Sequence, residues 1–216
     1  MPSSQVSQIS SILRVATLTS PTKILDVGIG LGRYGFLLAD IFDEERLLGG
    51  EKSKSLILDG IEAHDAYIGP VHDLCYDTIL RGDLRKLLPQ IGPNSYDLVI
   101  LVDVIEHVPE GEVGPVLLEL RRVGKTAVVS TPHVFFPQGR VYGNEYERHL
   151  SHPKLEHLRE FGFNLVLRDR DNLIAVSSAD QLSCHFCVGR PVAIWLVNLL
   201  PATMLGSFRR FRHGQL

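Results

Sequence analysis

Cysteine, methionine and tryptophan are scarce, with three, two and one in 216 residues. Cys75, Cys184 and Cys187 are too few for a disulfide framework, so a reducing, cytoplasmic setting is expected. Cys184 and Cys187 have C-x-x-C spacing but no second pair, which leaves a structural zinc short of its four ligands. Positive charge is not in excess either. The formal net charge is -3, which offers nucleic acid no overall field, and no nucleic-acid partner is expected. The start, MPSSQVSQISSILRV, lacks the basic residues and continuous apolar run of a secretory signal. Internal repeats and low-complexity stretches are absent. Hydrophobic residues at 44% and charged residues at 22% fit a soluble globular protein. The length suits one α/β domain better than two.

What is present is an alternation of short apolar runs with longer amphipathic ones, the pattern of βαβ units. Helices are predicted over Val6–Leu18, Arg33–Ile41, Tyr67–Tyr76, Val113–Val123 and Ser151–Phe161, with Ser151 as an N-cap. Strands are predicted over Lys23–Val27, Leu56–Glu62, Thr78–Arg81, Asp97–Val102, Ala127–Ser130, Asn164–Arg168 and Leu173–Ser177. The charged stretch Asp43–Ser55 reads as a loop. These elements give a Rossmann-like, doubly wound sheet of about seven strands, mostly parallel with an antiparallel terminal strand and helices on both faces. Residues 1–178 form the expected domain, and residues 179–216 an extension.

Asp26-Val27-Gly28-Ile29-Gly30-Leu31-Gly32 falls between a strand and a helix. Glycines there permit positive φ and close approach of a ligand to the backbone. A dinucleotide fingerprint needs a third glycine six positions into the turn. Counting from Gly28 that position is Arg33, which disfavours a nicotinamide-dependent oxidoreductase.

Asp26, Gly28, Gly30 and Gly32 after a buried strand resemble the first motif of class I S-adenosylmethionine-dependent methyltransferases, and the string Asp103-Val-Ile-Glu-His-Val108 resembles the methyltransferase-11 and ubiquinone O-methyltransferase type. The resemblance continues from about Lys23 to Ser177. It implies that the glycine turn wraps the methionine portion of S-adenosylmethionine and that Asp26 helps hold its ammonium group. It places Glu62 on the ribose hydroxyls, a role for which two carboxylate oxygens suit a vicinal diol. It places Asp83 on the adenine amino group, with the Leu84 amide assisting.

The run Asp97-Leu-Val-Ile-Leu-Val-Asp103-Val-Ile-Glu106-His107-Val-Pro109 puts Asp103 at the carboxyl end of a strand, where doubly wound sheets bind ligands. Asp103 is counted with both the cofactor and the catalytic residues. Asn/Asp-Pro-Pro-Tyr/Phe and Pro-Cys motifs of base methyltransferases are absent. Direct displacement at the sulfonium methyl by an oxygen, nitrogen or carbon nucleophile remains. His107 is the first candidate base, with orientation of its own loop as the alternative.

Small-RNA 2'-O-methyltransferases show a Glu-x-x-Glu-His string with a distant histidine around a divalent ion. Here Glu106, His107 and His149 (or His152) are the corresponding candidates, and His149 also joins the catalytic set. A metal is admitted by this pattern but not expected. The loop from His133 to His149 reads as an acceptor lid, with Phe135, Phe136 and Tyr142 as candidate lining. Residues 191–208 carry no charge and precede Arg209, Arg210 and Arg212. That suits packing, a dimer contact or a membrane surface reached through 191–213. The expected function is methyl transfer to an oxygen or nitrogen of a small acceptor, hydrophobic if the lid aromatics line it. The competing reading is a non-catalytic cofactor-binding platform.

Overall fold

In the computed structural model the described residues are 5–48, 56–168 and 171–177. Neighbouring residues of each central strand go to opposite cores. Ile24, Leu98 and Val128 join one cluster, while Leu25, Val99 and Val129 join the other. Such two-sided burial is what a parallel sheet covered on both faces requires.

Seven strands run β1 (Lys23–Val27), β2 (Ile57–Glu62), β3 (Thr78–Arg81), β4 (Tyr96–Val102), β5 (Gly124–Pro132), β6 (Leu165–Arg168) and β7 (Asn172–Val176). Their order is β3-β2-β1-β4-β5-β7-β6. The first five are parallel, and β7 lies antiparallel to both β5 and β6. Helices α1 (Ile9–Thr19), α2 (Arg33–Phe42) and α4 (Pro70–Cys75) feed one core. Helices α6 (Glu110–Val123) and α7 (Leu155–Glu160) feed the other. Two single-turn helices, α3 (Glu44–Leu47) and α5 (Leu84–Leu87), complete the set. Val27 is level with Ile61 on β2 and Leu101 on β4, so Gly28, Glu62 and Asp103 emerge along one edge. The chain order reverses between β1 and β4 there, which opens a crevice at the carboxyl ends of the strands.

The sheet and its strands agree with expectation, but several helices do not. The helix expected over Tyr67–Tyr76 is a 3-10 turn at Asp65–Tyr67 followed by α4, because Gly69-Pro70 starts a new helix with proline at its first position. Part of the supposed loop forms α3. The α5 turn was not anticipated; Asp83 caps it by accepting from the Arg85 amide. Helix α6 begins at Glu110, where Glu110 and Glu112 in the first turn suit the helix dipole. Ser151 is no cap: Pro153 delays α7 to Leu155, and the Ser151 hydroxyl donates to the Ile105 carbonyl instead. No helix among the described residues is long and apolar enough to cross a membrane. The extension at 179–216, its 191–213 stretch and the Cys184/Cys187 pair lie outside the described residues.

Candidate active site

The glycine turn after β1 forms one wall of a cavity of about 980 Å3, counted with its open mouth. Gly28, Gly30 and Gly32 all have positive φ, at 80°, 52° and 82°. A Cβ on Gly28 would sit 2.4 Å from Val104 Cγ2, so the turn accepts no side chain there. The peptide at Gly30 is clamped from both sides. Its N–H donates to Glu62 Oε2 at 2.9 Å, and its carbonyl lies 3.0 Å from His72 Nε2. The Gly69 amide donates to His72 Nδ1, which assigns the imidazole proton to Nε2.

Glu62 lines the cavity with both oxygens engaged, Oε1 accepting from the His64 amide at 2.8 Å. Burial raises its pKa while these backbone donors oppose the rise. Each oxygen keeps a further lone pair for a diol. Asp83 and Leu84 also line the cavity. The Asp83 carboxylate is held by Arg85, whose Nη2 approaches to 2.5 Å and whose Nη1 reaches Glu112 at 2.7 Å. That hydrogen bonding keeps Asp83 below the usual carboxylate range. Arg85, itself a lining residue, had no recognisable local signal.

Asp26 and Gly32 stand elsewhere. Neither is among the lining residues. Asp26 lies beneath the turn, 2% exposed, and accepts from the Tyr76 hydroxyl at 2.7 Å. Burial pushes its pKa up to about 7; the Tyr76 bond opposes this and the Glu62 charge adds to it. Gly32 is the N-cap of α2 and packs against Val71 and His72 of α4.

On the β4 side, Asp103 lines the cavity with a φ of 53°, unusual for a residue with a Cβ. Its Oδ2 accepts from the Gln5 amide (3.1 Å) and Gln8 Nε2 (2.6 Å), and Ser130 Oγ lies 3.0 Å from Oδ1. Gln8 is fully buried and also bonds the Ser130 hydroxyl. The leading helix thus contributes to the site, which no local pattern announced.

Glu106, His107 and His149 come together, with one donor atom from each within 4.8 Å of the others. His107 lines the cavity; Glu106 and His149 stand behind it. The convergence has a backbone cause. The amides of Leu150 and Ser151 both donate to the Glu106 carbonyl, drawing the later segment onto the turn after β4. His107 Nδ1 lies 3.0 Å from the Arg148 carbonyl and His149 Nδ1 lies 2.8 Å from that of Phe136. Both imidazoles therefore carry their proton on Nδ1 and present a free Nε2 lone pair. Burial lowers the His107 pKa and raises that of Glu106 well above its ordinary value. Glu106 Oε2 has no hydrogen-bond partner. His152 instead approaches the His133 carbonyl.

The 133–149 segment covers the cavity with different residues from those expected. Asn144, Tyr146 and Glu147 line it, and Tyr67 latches across by donating to Glu147 Oε1 at 2.9 Å. Phe135, Phe136 and Tyr142 are exposed outside the lining, with Phe136 packing edge-on against His149.

Residues 25–128 match the family model described as a methyltransferase domain. No relative is found among curated proteins. Among solved structures, the N-terminal domain of EvdMO1, crystallised with SAH and D-fucose, aligns at 17% identity with a TM-score of 0.56, over 81% of this chain and 84% of that one. The 1,6-didemethyltoxoflavin-N1-methyltransferase of Burkholderia thailandensis, with 1,6-didemethyltoxoflavin and S-adenosylhomocysteine bound, aligns at 16% identity with a TM-score of 0.54, over 80% and 77%. The methyltransferase domain of bacterial CtHen1-CN aligns at 15% identity with a TM-score of 0.50, over 79% and 96%. At such identities the neighbours speak to the fold. The matched family speaks to the chemistry, and its residues include the glycine turn, Glu62, Asp83 and Asp103. Over just under half of the chain the match is to a methyltransferase domain, and these neighbours share the fold.

Proposed function

We propose that the chain transfers a methyl group from S-adenosylmethionine to an oxygen or nitrogen of a small acceptor, with His107 Nε2 receiving the acceptor's proton. The observation carrying this reading is that His107 lines the cavity with Nδ1 tied to the Arg148 carbonyl, leaving the Nε2 lone pair free. Glu62 would hold the ribose, Asp83 and the Leu84 amide the adenine, and the Gly28–Gly30 backbone the methionyl chain. Asp26 would add its charge from beneath. Asp103 would be positioned at the methionyl end by Gln5, Gln8 and Ser130.

When bound, the cofactor supplies an electrophilic methyl. Its methyl would pass to the acceptor's lone pair, with the sulfur leaving as a neutral thioether. The protein's work is alignment and proton removal. Two neighbours of the same fold were crystallised with D-fucose and with 1,6-didemethyltoxoflavin, which supports a small-molecule acceptor.

The orphaned Glu106 Oε2 and the two Nδ1-bonded imidazoles favour a second reading. Metal-bound histidines commonly donate their other nitrogen to a backbone carbonyl. Glu106, His107 and His149 would then hold a divalent ion that lowers an acceptor hydroxyl's pKa. His107 would then be a ligand rather than a base. Methyl transfer to a panel of small hydroxyl and amine acceptors tests both. His107→Gln is expected to reduce turnover at least ~100-fold while S-adenosylhomocysteine binding is retained. Insensitivity to a chelator identifies the base mechanism; loss restored by manganese or magnesium identifies the metal one. Full turnover in His107→Gln would refute both.

A further inference from the structure

Buried polar atoms without a partner cost free energy and are retained where a ligand satisfies them. Of the buried side-chain polar atoms that lack one among the described residues, Tyr34 Oη is the one carried by a residue lining the cofactor cavity. Tyr34 sits in the first turn of α2, directly after the glycine turn, and is 4% exposed. Its ring is anchored in the core beneath α2, so the hydroxyl is held in place rather than free to seek water.

The location assigns the end of the cofactor that meets it. Strand order sets β2 and β3, with Glu62 and Asp83, on one side of β1, and β4 with Asp103 on the other. The ribose and adenine groups belong to the first side, which leaves the amino-acid end for the second. Asp103 and Asp26 are the carboxylates whose charge is felt at Tyr34; they outweigh the opposing charge of Arg33, which suits a cation there. The Asp103 oxygens already accept from Gln5 and Gln8 and face Ser130.

We propose that the Tyr34 hydroxyl is a specificity-determining contact for the amino-acid end of S-adenosylmethionine, its oxygen accepting a hydrogen bond from the α-ammonium group. The inference rests on the cofactor assignment and deepens it. The test is calorimetric titration of wild type and Tyr34→Phe, full length, with S-adenosylhomocysteine and with 5'-methylthioadenosine. The second ligand keeps adenine and ribose but lacks the amino acid. Tyr34→Phe is expected to weaken S-adenosylhomocysteine about tenfold, a hydrogen bond to a charged group being lost. It is expected to leave 5'-methylthioadenosine within about twofold. Its melting temperature should equal or exceed that of wild type, since the phenyl ring keeps the packing and removes the orphan hydroxyl. Unchanged affinity for S-adenosylhomocysteine overturns the proposal. So does parallel weakening of both ligands, which marks a packing role. A wild type that binds neither ligand overturns the cofactor assignment as well.

Discussion

Arg46 and the carboxyl edge of the sheet treat buried charge in opposite ways. At the amino edge, Arg46 is the largest side chain buried below 2% exposure, yet every branch of its guanidinium has a partner. Nε donates to Asp43 Oδ2 at 2.9 Å, Nη1 to the Cys75 carbonyl and Asp77, and Nη2 to the Leu56 carbonyl. At the carboxyl edge, Glu106 and Tyr34 are equally enclosed and keep polar atoms with no partner. Asp26 is pushed up to about 7 with a single side-chain donor against it. A charge whose hydrogen bonds are all made inside the protein holds α3, β2 and α4 together. A polar group left short at a cavity is a place for something that comes and goes.

Breaking the amino edge has the largest effect on folding. Arg46→Met breaks the buried ion pair with Asp43 and should cost about 3–5 kcal/mol. Calorimetry should then show a melting temperature lower by roughly 10 °C, with S-adenosylhomocysteine affinity unchanged in the folded fraction. A variant that melts like wild type would remove the contrast.

At the other edge the sign reverses. For Asp26 the folded pKa of about 7 exceeds the ordinary value of 3.8, so the folded state binds its proton more tightly. The stability this group contributes is therefore present at low pH, is lost as pH rises from about 4 to about 7, and is flat above. Asp26→Asn removes that dependence. It should melt several degrees above wild type at pH 8 and close to it at pH 4, while binding S-adenosylhomocysteine more weakly if the carboxylate aids the ammonium. Equal melting curves across this range would contradict the assignment.

Glu106→Gln sharpens the comparison with the smallest change in stability. Replacing a buried acid that has one unpartnered oxygen should raise the melting temperature by about 1–3 °C, measured by scanning fluorimetry. Turnover should fall at least about tenfold. A destabilised Glu106→Gln with full activity would make Glu106 structural, like Arg46.

Sequence made one edge legible and not the other, for reasons of distance. The glycine turn, Glu62 at a strand end and Asp83 after a strand are local patterns, and all but Gly32 and Asp26 of the expected cofactor residues meet the cavity. Glu106, His107 and His149 could be grouped in advance, but the choice of His149 over His152 depends on the Leu150 and Ser151 amides finding the Glu106 carbonyl. The Gln8–Asp103 contact joins residues 95 apart, and nothing near Gln8 signals it. Arg46 sits in a charged stretch that reads as solvated loop, and its burial exists only after α4 and β2 close around it. Tyr34 falls in the expected helix Arg33–Ile41 with no local signal of its own. Its missing hydrogen bond is visible only in three dimensions.

The central claim is that this cavity binds S-adenosylmethionine through Glu62. The most direct measurement is calorimetric titration of S-adenosylhomocysteine into wild type and Glu62→Gln. Micromolar binding to wild type is expected, about -8 kcal/mol, weakened roughly 10- to 100-fold in the variant as charge-assisted hydrogen bonds are lost. Equal affinity in both folded proteins, or no binding to wild type, would contradict it.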